Sequence, residues 1–382
     1  MQRGHPWVFS NEVAIERSPL TAFEAGDCVN VFSHSGKPLG TAYVNPHSLI
    51  CARLLSTEID HALDEEMLAR RLTHALALRE MLGWLPYCRL VYAESDRLPG
   101  LIVDRYGDVL AVQIGTAGME RVRGAIVETL VKLCRPAAVV LRNDLSSRSL
   151  EGLDAYVEVV HGELPPMITV FENGASFEIS ILEGQKTGWY YDHRCNRALV
   201  SQYAEGRSVL DCFSYVGGFG IQAACAGAAS VLCLDSSANA LERVTRNADL
   251  NRVADRVQVR RGDAFDELRA LGAEKQRFDI VVVDPPAFMR RRKDRRAGLE
   301  AYRRLNRRAM QVLAADGLLL SASCSFHLDA EEHQGIVASA AADVGRWIQI
   351  LGRGGQAADH PIHPGLPESA YLTSLLVRVS RN

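Results

Sequence analysis

One cysteine in this chain stands where a thiol could act as a nucleophile. In LLLSASCSFH (318–327) an apolar run gives way to small residues, and Cys324 lies between two serines where a buried strand is expected to end. A second segment, DPPAF (284–288), directly follows the apolar run FDIVVV. Its prolines, Pro285 and Pro286, hold the backbone extended and remove two N–H donors. The loop carbonyls and Asp284 are then left to hydrogen-bond a planar ring, with Phe288 as a stacking face. A thiolate added to carbon 6 of a cytosine makes carbon 5 enamine-like and able to attack an electrophilic methyl group. Loss of the carbon-5 proton then expels the sulfur. That is covalent catalysis, and it needs the thiolate rather than the thiol.

The elements that must hold these residues begin near residue 185. The apolar segments SVLDCF, SVLCLD, VQVRRGD, FDIVVVD and GLLLSAS alternate with helical stretches, among them 221–228 and 238–248. Such alternation predicts a parallel sheet covered on both faces, with ligands bound beyond the carboxyl ends of its strands. The residues found there are consistent with one another. Asp211 opens the loop FSYVGGFG, which contains Phe213, Gly217 and Gly218; Asp235 precedes Ser236; Asp263 precedes Ala264; Asp284 and Cys324 close the series. Glycines let backbone approach a ligand. An acid ending the second strand can accept from two ribose hydroxyls, and an acid or amide after the third can read an adenine edge. A nucleoside-containing cofactor is expected.

Two cofactors fit that description. Residues 218–223 match the dinucleotide fingerprint G-x-G-x-x-A, with Asp235 near the usual distance. In that fingerprint the first glycine follows the strand directly, so that a pyrophosphate sits on the helix N-terminus. Here residues 213–216 intervene, and Asp211 would repel a pyrophosphate while suiting an ammonium group. The pattern favours S-adenosylmethionine.

The 382 residues, 47% hydrophobic and 23% charged, allow two or three ordinary globular domains. No apolar run approaches the roughly 18 to 20 residues of a membrane span, and the N-terminus lacks a signal-peptide core. Nine cysteines without a CxxC pair point to reduced thiols in a cytoplasm, not to disulfides or zinc. Cys28, Cys51, Cys88, Cys134, Cys225 and Cys233 read as small buried hydrophobes. His360 and His363 sit among prolines and a glycine, so a turn is expected and no metal. The net charge of −3 does not announce a nucleic-acid binder. Its distribution does: Arg290, Arg291, Arg292, Lys293, Arg295, Arg296, Arg303, Arg304, Arg307 and Arg308 follow the DPPAF loop against only Asp294 and Glu300. Ahead of residue 185, strands and a hairpin fill 1–70. A helix near 64–85, strands, an amphipathic helix near 120–134 and a second hairpin turning at 172–174 fill 71–183.

Through VLDCFSYVGGFGIQAA, VLCLDSSANALERVTRNADLN, GDAF, VVVDPPAF and SCSF the C-terminal half resembles the class I methyltransferases. Through GHPWVFSNEV, DRLPGLIVDRYGDVLAVQ, EGQKTGWYYDHR and GQAADHPIHPGLPESAYL, nearly the whole chain resembles the bacterial 23S rRNA 5-methylcytosine methyltransferases. The resemblance implies an α/β protein in three parts: a PUA-like β-barrel (1–70), a central α+β domain (71–183) and a Rossmann-like methyltransferase domain (184–382). It implies S-adenosylmethionine contacts at Asp211, Phe213, Gly217, Asp235, Ser236, Asp263 and Asp284, with Lys186, Tyr190, Asp192 and Arg194 lining the donor pocket, and Cys324 as nucleophile. Arg290, Arg291 and Arg292 would flank the base pocket and neutralise phosphates, while the target base is splayed out of structured RNA. The implied partner is 23S rRNA or a ribosomal assembly intermediate, without a membrane; a homodimer is compatible with the sequence. Many RNA 5-methylcytosine enzymes carry a second cysteine near the motif-four proline, where this chain has Pro286 and Ala287. The base that takes the carbon-5 proton is therefore open between Asp284 and a water. Two rival expectations stand beside this one. One is methylation of an exocyclic amine, which needs no thiol; the other is an inactive RNA-binding PUA protein.

Overall fold

The structure is a computed structural model, and it describes residues 4–184, 187–289 and 291–381. The chain divides into two compact units. The first comprises Met1–Pro166, Ser180–Tyr191 and Ala358–Ser369; the second comprises Met167–Ile179, Asp192–Ala357 and Ala370–Asn382. Among the described residues no helix is long and apolar enough to cross a membrane.

The first unit holds two sheets. A four-stranded antiparallel sheet runs in the order Trp7–Phe9, Ile50–Ser56, Pro38–Val44, Cys28–Phe32. A five-stranded sheet runs Tyr87–Tyr92, Leu101–Tyr106, Val109–Ile114, Ala138–Asn143, Tyr156–Gly162, and only its Val109–Ile114 and Ala138–Asn143 strands are parallel to each other. Helices Glu65–Met81 and Arg123–Cys134 bury Leu68, Leu72, Ile126 and Leu130 with Val103 and Leu110 of that sheet. The single helix expected over 120–134 is broken. Val122 leaves helical geometry (φ −105°, ψ 19°) and separates Ala117–Arg121 from Arg123–Cys134. The unit also buries charge. Arg79 pairs with Asp96 at 2.7 Å and donates to the carbonyl of Asp359 at 2.6 Å, while Arg89 pairs with Asp104 at 2.7 Å. Buried guanidinium groups require such partners, because an unpaired buried charge is strongly destabilising.

The second unit is built on a seven-stranded sheet: β1 (Ser208–Cys212), β2 (Ser230–Asp235), β3 (Val257–Arg261), β4 (Phe278–Val283), β5 (Leu313–Ser323), β6 (Arg346–Gly355) and β7 (Thr373–Arg381). Their order is β3-β2-β1-β4-β5-β7-β6, parallel except for β7, which runs antiparallel to β5 and β6. The apolar runs of the central strands are buried on both faces, as the sequence predicts. Helices α1 (Arg194–Ser201), α2 (Gly218–Cys225), α3 (Ala238–Leu250), α4 (Ala264–Ala273), α5 (Arg295–Val312) and α6 (Ala330–Asp343) accompany the sheet. The chain runs from β1 outward to β3, then returns to β4 on the other side of β1. That reversal opens a crevice at the carboxyl ends of β1 and β4.

The second hairpin, Ile168–Glu172 with Ala175–Ile179, turns at Asn173-Gly174 as expected, both residues having positive φ. It belongs to the second unit rather than closing the central one. Glu172 is buried against Arg197 at 2.6 Å and Arg194 at 3.3 Å, and the Ser176 and Glu178 amides donate to Asn251 and Asn247. Not every cysteine expected inside is inside. Cys51, Cys88 and Cys233 are buried, but Cys28 and Cys225 are exposed and Cys134 is half-buried. Cys28 lies on the edge strand of the four-stranded sheet and Cys225 ends α2, so neither has a full shell of neighbours.

Candidate active site

Asp211 ends the apolar part of β1 and is 1% exposed. Its Oδ2 accepts from the Gly220 amide at 2.8 Å, while Oδ1 is buried with no hydrogen-bond partner among the described residues. Burial, with Asp284 and Asp235 adding to it, pushes the carboxyl up to about 7 against the pull of the Gly220 amide and Arg197. The loop that follows is wound through left-handed backbone at Phe213 (φ 64°), Tyr215 (φ 51°) and Gly217 (φ 88°). Asp235, ending β2, ties this loop down. Its Oδ2 accepts from Tyr215 N and its Oδ1 from Ser237 N, both at 2.9 Å.

Gly217 and Gly218 lead into α2, and the close approach they allow is strictest at Gly220. A Cβ there would lie 2.5 Å from Cys233 Sγ and 3.0 Å from Val231. Ser236 is exposed, and its carbonyl accepts from Arg261 at 3.3 Å. Asp263 caps α4, accepting from Phe265 N at 2.9 Å and Asp266 N at 3.2 Å, with Ala264 buried behind it. An ammonium-bearing donor fits this set. It would give Asp211 Oδ1 the partner it lacks, whereas a pyrophosphate would meet carboxylates.

The register of β4 against β5 pairs Val283 with Ser321, so the turn after Asp284 and the end of β5 that carries Cys324 leave the same edge of the sheet. Cys324 is half-buried, and its Sγ lies 3.9 Å from the carbonyl oxygen of Pro285. The serines beside it are fixed by one tyrosine. Tyr302 of α5, fully buried, accepts from Ser323 Oγ at 2.9 Å and shares a 2.7 Å hydrogen bond with Ser325 Oγ. Pro285 is buried and Pro286 exposed. Phe288 is held between Tyr302 (4.7 Å between centroids) and Phe265 (6.0 Å), so its ring supports the pocket wall more than it offers an open stacking face.

Asp284 is 23% exposed, and its Oδ2 lies 3.2 Å from Nε2 of the buried His193. Burial disfavours a charged His193, but the carboxylates of Asp284 and Asp192 outweigh it and raise the imidazole above its ordinary value. Sequence reasoning singled out the neighbours of His193 and passed over the histidine, whose only signal was its place in a segment leading to the first strand. Those neighbours are engaged otherwise: Asp192 accepts from Tyr371, and Arg194 pairs with Glu172. Tyr190 is half-buried in the first unit. Lys186, Arg290 and the Arg292 side chain lie outside the described residues.

The basic block divides into two kinds of arginine. Arg303 pairs with Asp343 at 2.6 Å, Arg295 pairs with Glu332, and Arg304 stacks over Phe265 at 4.6 Å. Arg291 and Arg296 are exposed and make no ion pair among the described residues.

Comparison with known proteins places the chain in a family. Residues 116–331 match the S-adenosylmethionine-dependent methyltransferase family, and residues 1–57 match the PUA-like domain. A ribosomal RNA large subunit methyltransferase I of Shewanella denitrificans is 40% identical over 385 residues, covering 99% of this chain and 96% of the relative. Two solved structures share the fold. One is a methyltransferase complexed with SAH, with a TM-score of 0.84 and 20% identity over 99% of this chain and 96% of that one. The other is a SAM-dependent methyltransferase from Streptococcus mutans, with a TM-score of 0.83 and 19% identity over the same shares.

Proposed function

This chain belongs to the ribosomal RNA large subunit methyltransferase I family of S-adenosylmethionine-dependent enzymes, and from that premise we propose that it methylates carbon 5 of a cytosine in 23S rRNA through a Cys324 adduct at carbon 6. The observation that carries the reading is the 3.9 Å approach of Cys324 Sγ to the Pro285 carbonyl, beside Asp284 and beyond the carboxyl ends of adjacent parallel strands. When bound, S-adenosylmethionine supplies an electrophilic methyl group. Asp211 and Asp235 would hold its ammonium and ribose, and Asp263 with Ala264 its adenine.

Cys324, as thiolate, forms a bond to carbon 6 and makes carbon 5 nucleophilic. After carbon 5 has been methylated, Asp284 takes its proton, the carbon 5–carbon 6 double bond re-forms and the sulfur leaves. The DPPAF carbonyls orient the ring. Arg291 and Arg296 face solvent with charge to offer phosphates. In this reading the first compact unit holds the PUA-like RNA-binding domain (1–70) and the central domain, and the second unit, with the hairpin at 168–179, is the methyltransferase domain, acting in the cytoplasm where rRNA is modified.

The test combines product identity with the thiol. Wild-type enzyme should yield 5-methylcytidine in 23S rRNA, and Cys324→Ala should bind S-adenosylmethionine yet transfer no methyl. A product methylated on an exocyclic amine, or full turnover by Cys324→Ala, would reject the covalent mechanism.

A further inference from the structure

The proposed reaction gives His193 no task, yet both its ring nitrogens are engaged within the second unit. Nε2 faces Asp284 Oδ2 at 3.2 Å, and Nδ1 faces Asn196 Nδ2 at 3.1 Å. Asn196 decides which nitrogen carries hydrogen. Its Nδ2 also faces the Gly355 carbonyl at 3.3 Å, and a carbonyl only accepts, so the amide nitrogen has to lie on that side. Its Oδ1 accepts from the Ser374 hydroxyl at 2.8 Å, which is compatible with that orientation. Nδ2 therefore donates to His193 Nδ1, and the ring hydrogen sits on Nε2, directed at Asp284.

We infer that His193 is a positioning residue for methyl transfer: a buried Nε2–H donor that holds the Asp284 carboxyl in one orientation beside the turn that carries Cys324. The inference rests on the carbon-5 reading above. One oxygen of Asp284 is occupied by the imidazole, which leaves the other for the carbon-5 proton. The titratable groups around the pair are Asp192 and Arg197, which act on His193, and Asp211, on which Asp284 acts.

The experiment compares His193→Gln with His193→Leu in the full chain. Glutamine keeps a side-chain N–H donor and cannot titrate. His193→Gln should retain kcat within about threefold, with the acid limb of the kcat profile unmoved. His193→Leu should lower kcat roughly 30- to 100-fold, because the carboxylate loses the donor that orients it. KM for RNA and affinity for S-adenosylmethionine should stay within about twofold in both.

A His193→Gln enzyme as poor as His193→Leu would make the imidazole a proton carrier and overturn the inference. So would a His193→Leu enzyme with wild-type kcat. If His193→Leu does not fold, the ¹⁵N signals of His193 in wild-type protein free of cofactor decide. Hydrogen on Nε2 in the neutral ring is expected, and an Nδ1–H tautomer with Nε2 bare overturns it. Product analysis of the wild-type enzyme tests the carbon-5 reading separately, whatever the His193 variants do.

Discussion

Tyr302 and Ser325 share a 2.7 Å hydrogen bond between hydroxyls, and through it helix α5 holds the turn that presents Cys324. The same tyrosine oxygen accepts from Ser323, and the Ser325 amide donates back to Ser323 Oγ at 3.2 Å. The residues before and after the nucleophile are thus locked to one partner from another element. Its ring also packs on Phe288 of the DPPAF loop, so the two chemical segments share a support.

Tyr302→Phe removes that hydroxyl and keeps the ring. The two serines lose a buried partner, at a cost of about 1–3 kcal/mol in stability measured by chemical denaturation. Turnover should fall about tenfold or more, since an Å of freedom at a nucleophile is expensive. Affinity for S-adenosylmethionine, measured calorimetrically, should not change. Equal loss of cofactor affinity and turnover would show that the network serves the fold in general rather than Cys324.

Asp211 makes cofactor binding depend on pH. With its carboxyl pushed up to about 7 in the ligand-free protein, it is largely neutral below that pH, and an ammonium prefers the ionised form. Affinity for S-adenosylmethionine should rise by up to about tenfold per unit as pH approaches 7 from below, then level off. Titrations in buffers of different ionisation heat should detect the released proton. For folding the sense is opposite. The unfolded chain ionises first, so this group's contribution to ligand-free stability is greatest below about pH 4 and declines toward pH 7. Affinity flat across that range would refute the assignment.

Gly220→Ala should destabilise the protein by about 1–3 kcal/mol through overpacking against Cys233 and Val231. Adding Cys233→Ala removes the nearest atom, so thermal denaturation of the double variant should show part of the loss recovered despite the cavity that the second change creates. A strictly additive result would place the strain elsewhere.

The arginines should separate by salt dependence. Arg291→Ala and Arg296→Ala should each weaken RNA binding and reduce the slope of log affinity against log salt by about one. Arg303→Ala, whose charge is already paired with Asp343, should change that slope far less. Filter binding over a salt series distinguishes them.

The sheet and its strand ends were legible because buried parallel strands leave a plain record. Apolar runs stop abruptly at Asp211, Asp235, Asp284 and Cys324, and each stop lies on the crevice edge. What escaped was decided by contacts between distant residues. Nothing in the local pattern marks Tyr302 as the partner of Ser323 and Ser325, because it reads as one more apolar position on a basic helix. His193 likewise acquires meaning only when Asn196 and Asp284 approach its two nitrogens from separate elements. The hairpin at 168–179 was recognisable by its turn, but its allegiance was set by Glu172 finding Arg197 and Arg194. The break at Val122 has no proline to announce it, and Gly124 two residues on lies inside the helix that follows.

The first compact unit takes its last segment, Ala358–Ser369, from near the far end of the chain. Asp359 supplies the carbonyl that receives Arg79 and the carboxylate oxygen that receives the Arg89 amide at 3.0 Å, and the Ser369 carbonyl receives Tyr92. During synthesis, then, the part made first cannot finish folding until almost everything else has left the ribosome. A nascent chain halted before residue 358 would carry an amino-terminal unit without its last segment, with Arg79 lacking one of its buried acceptors.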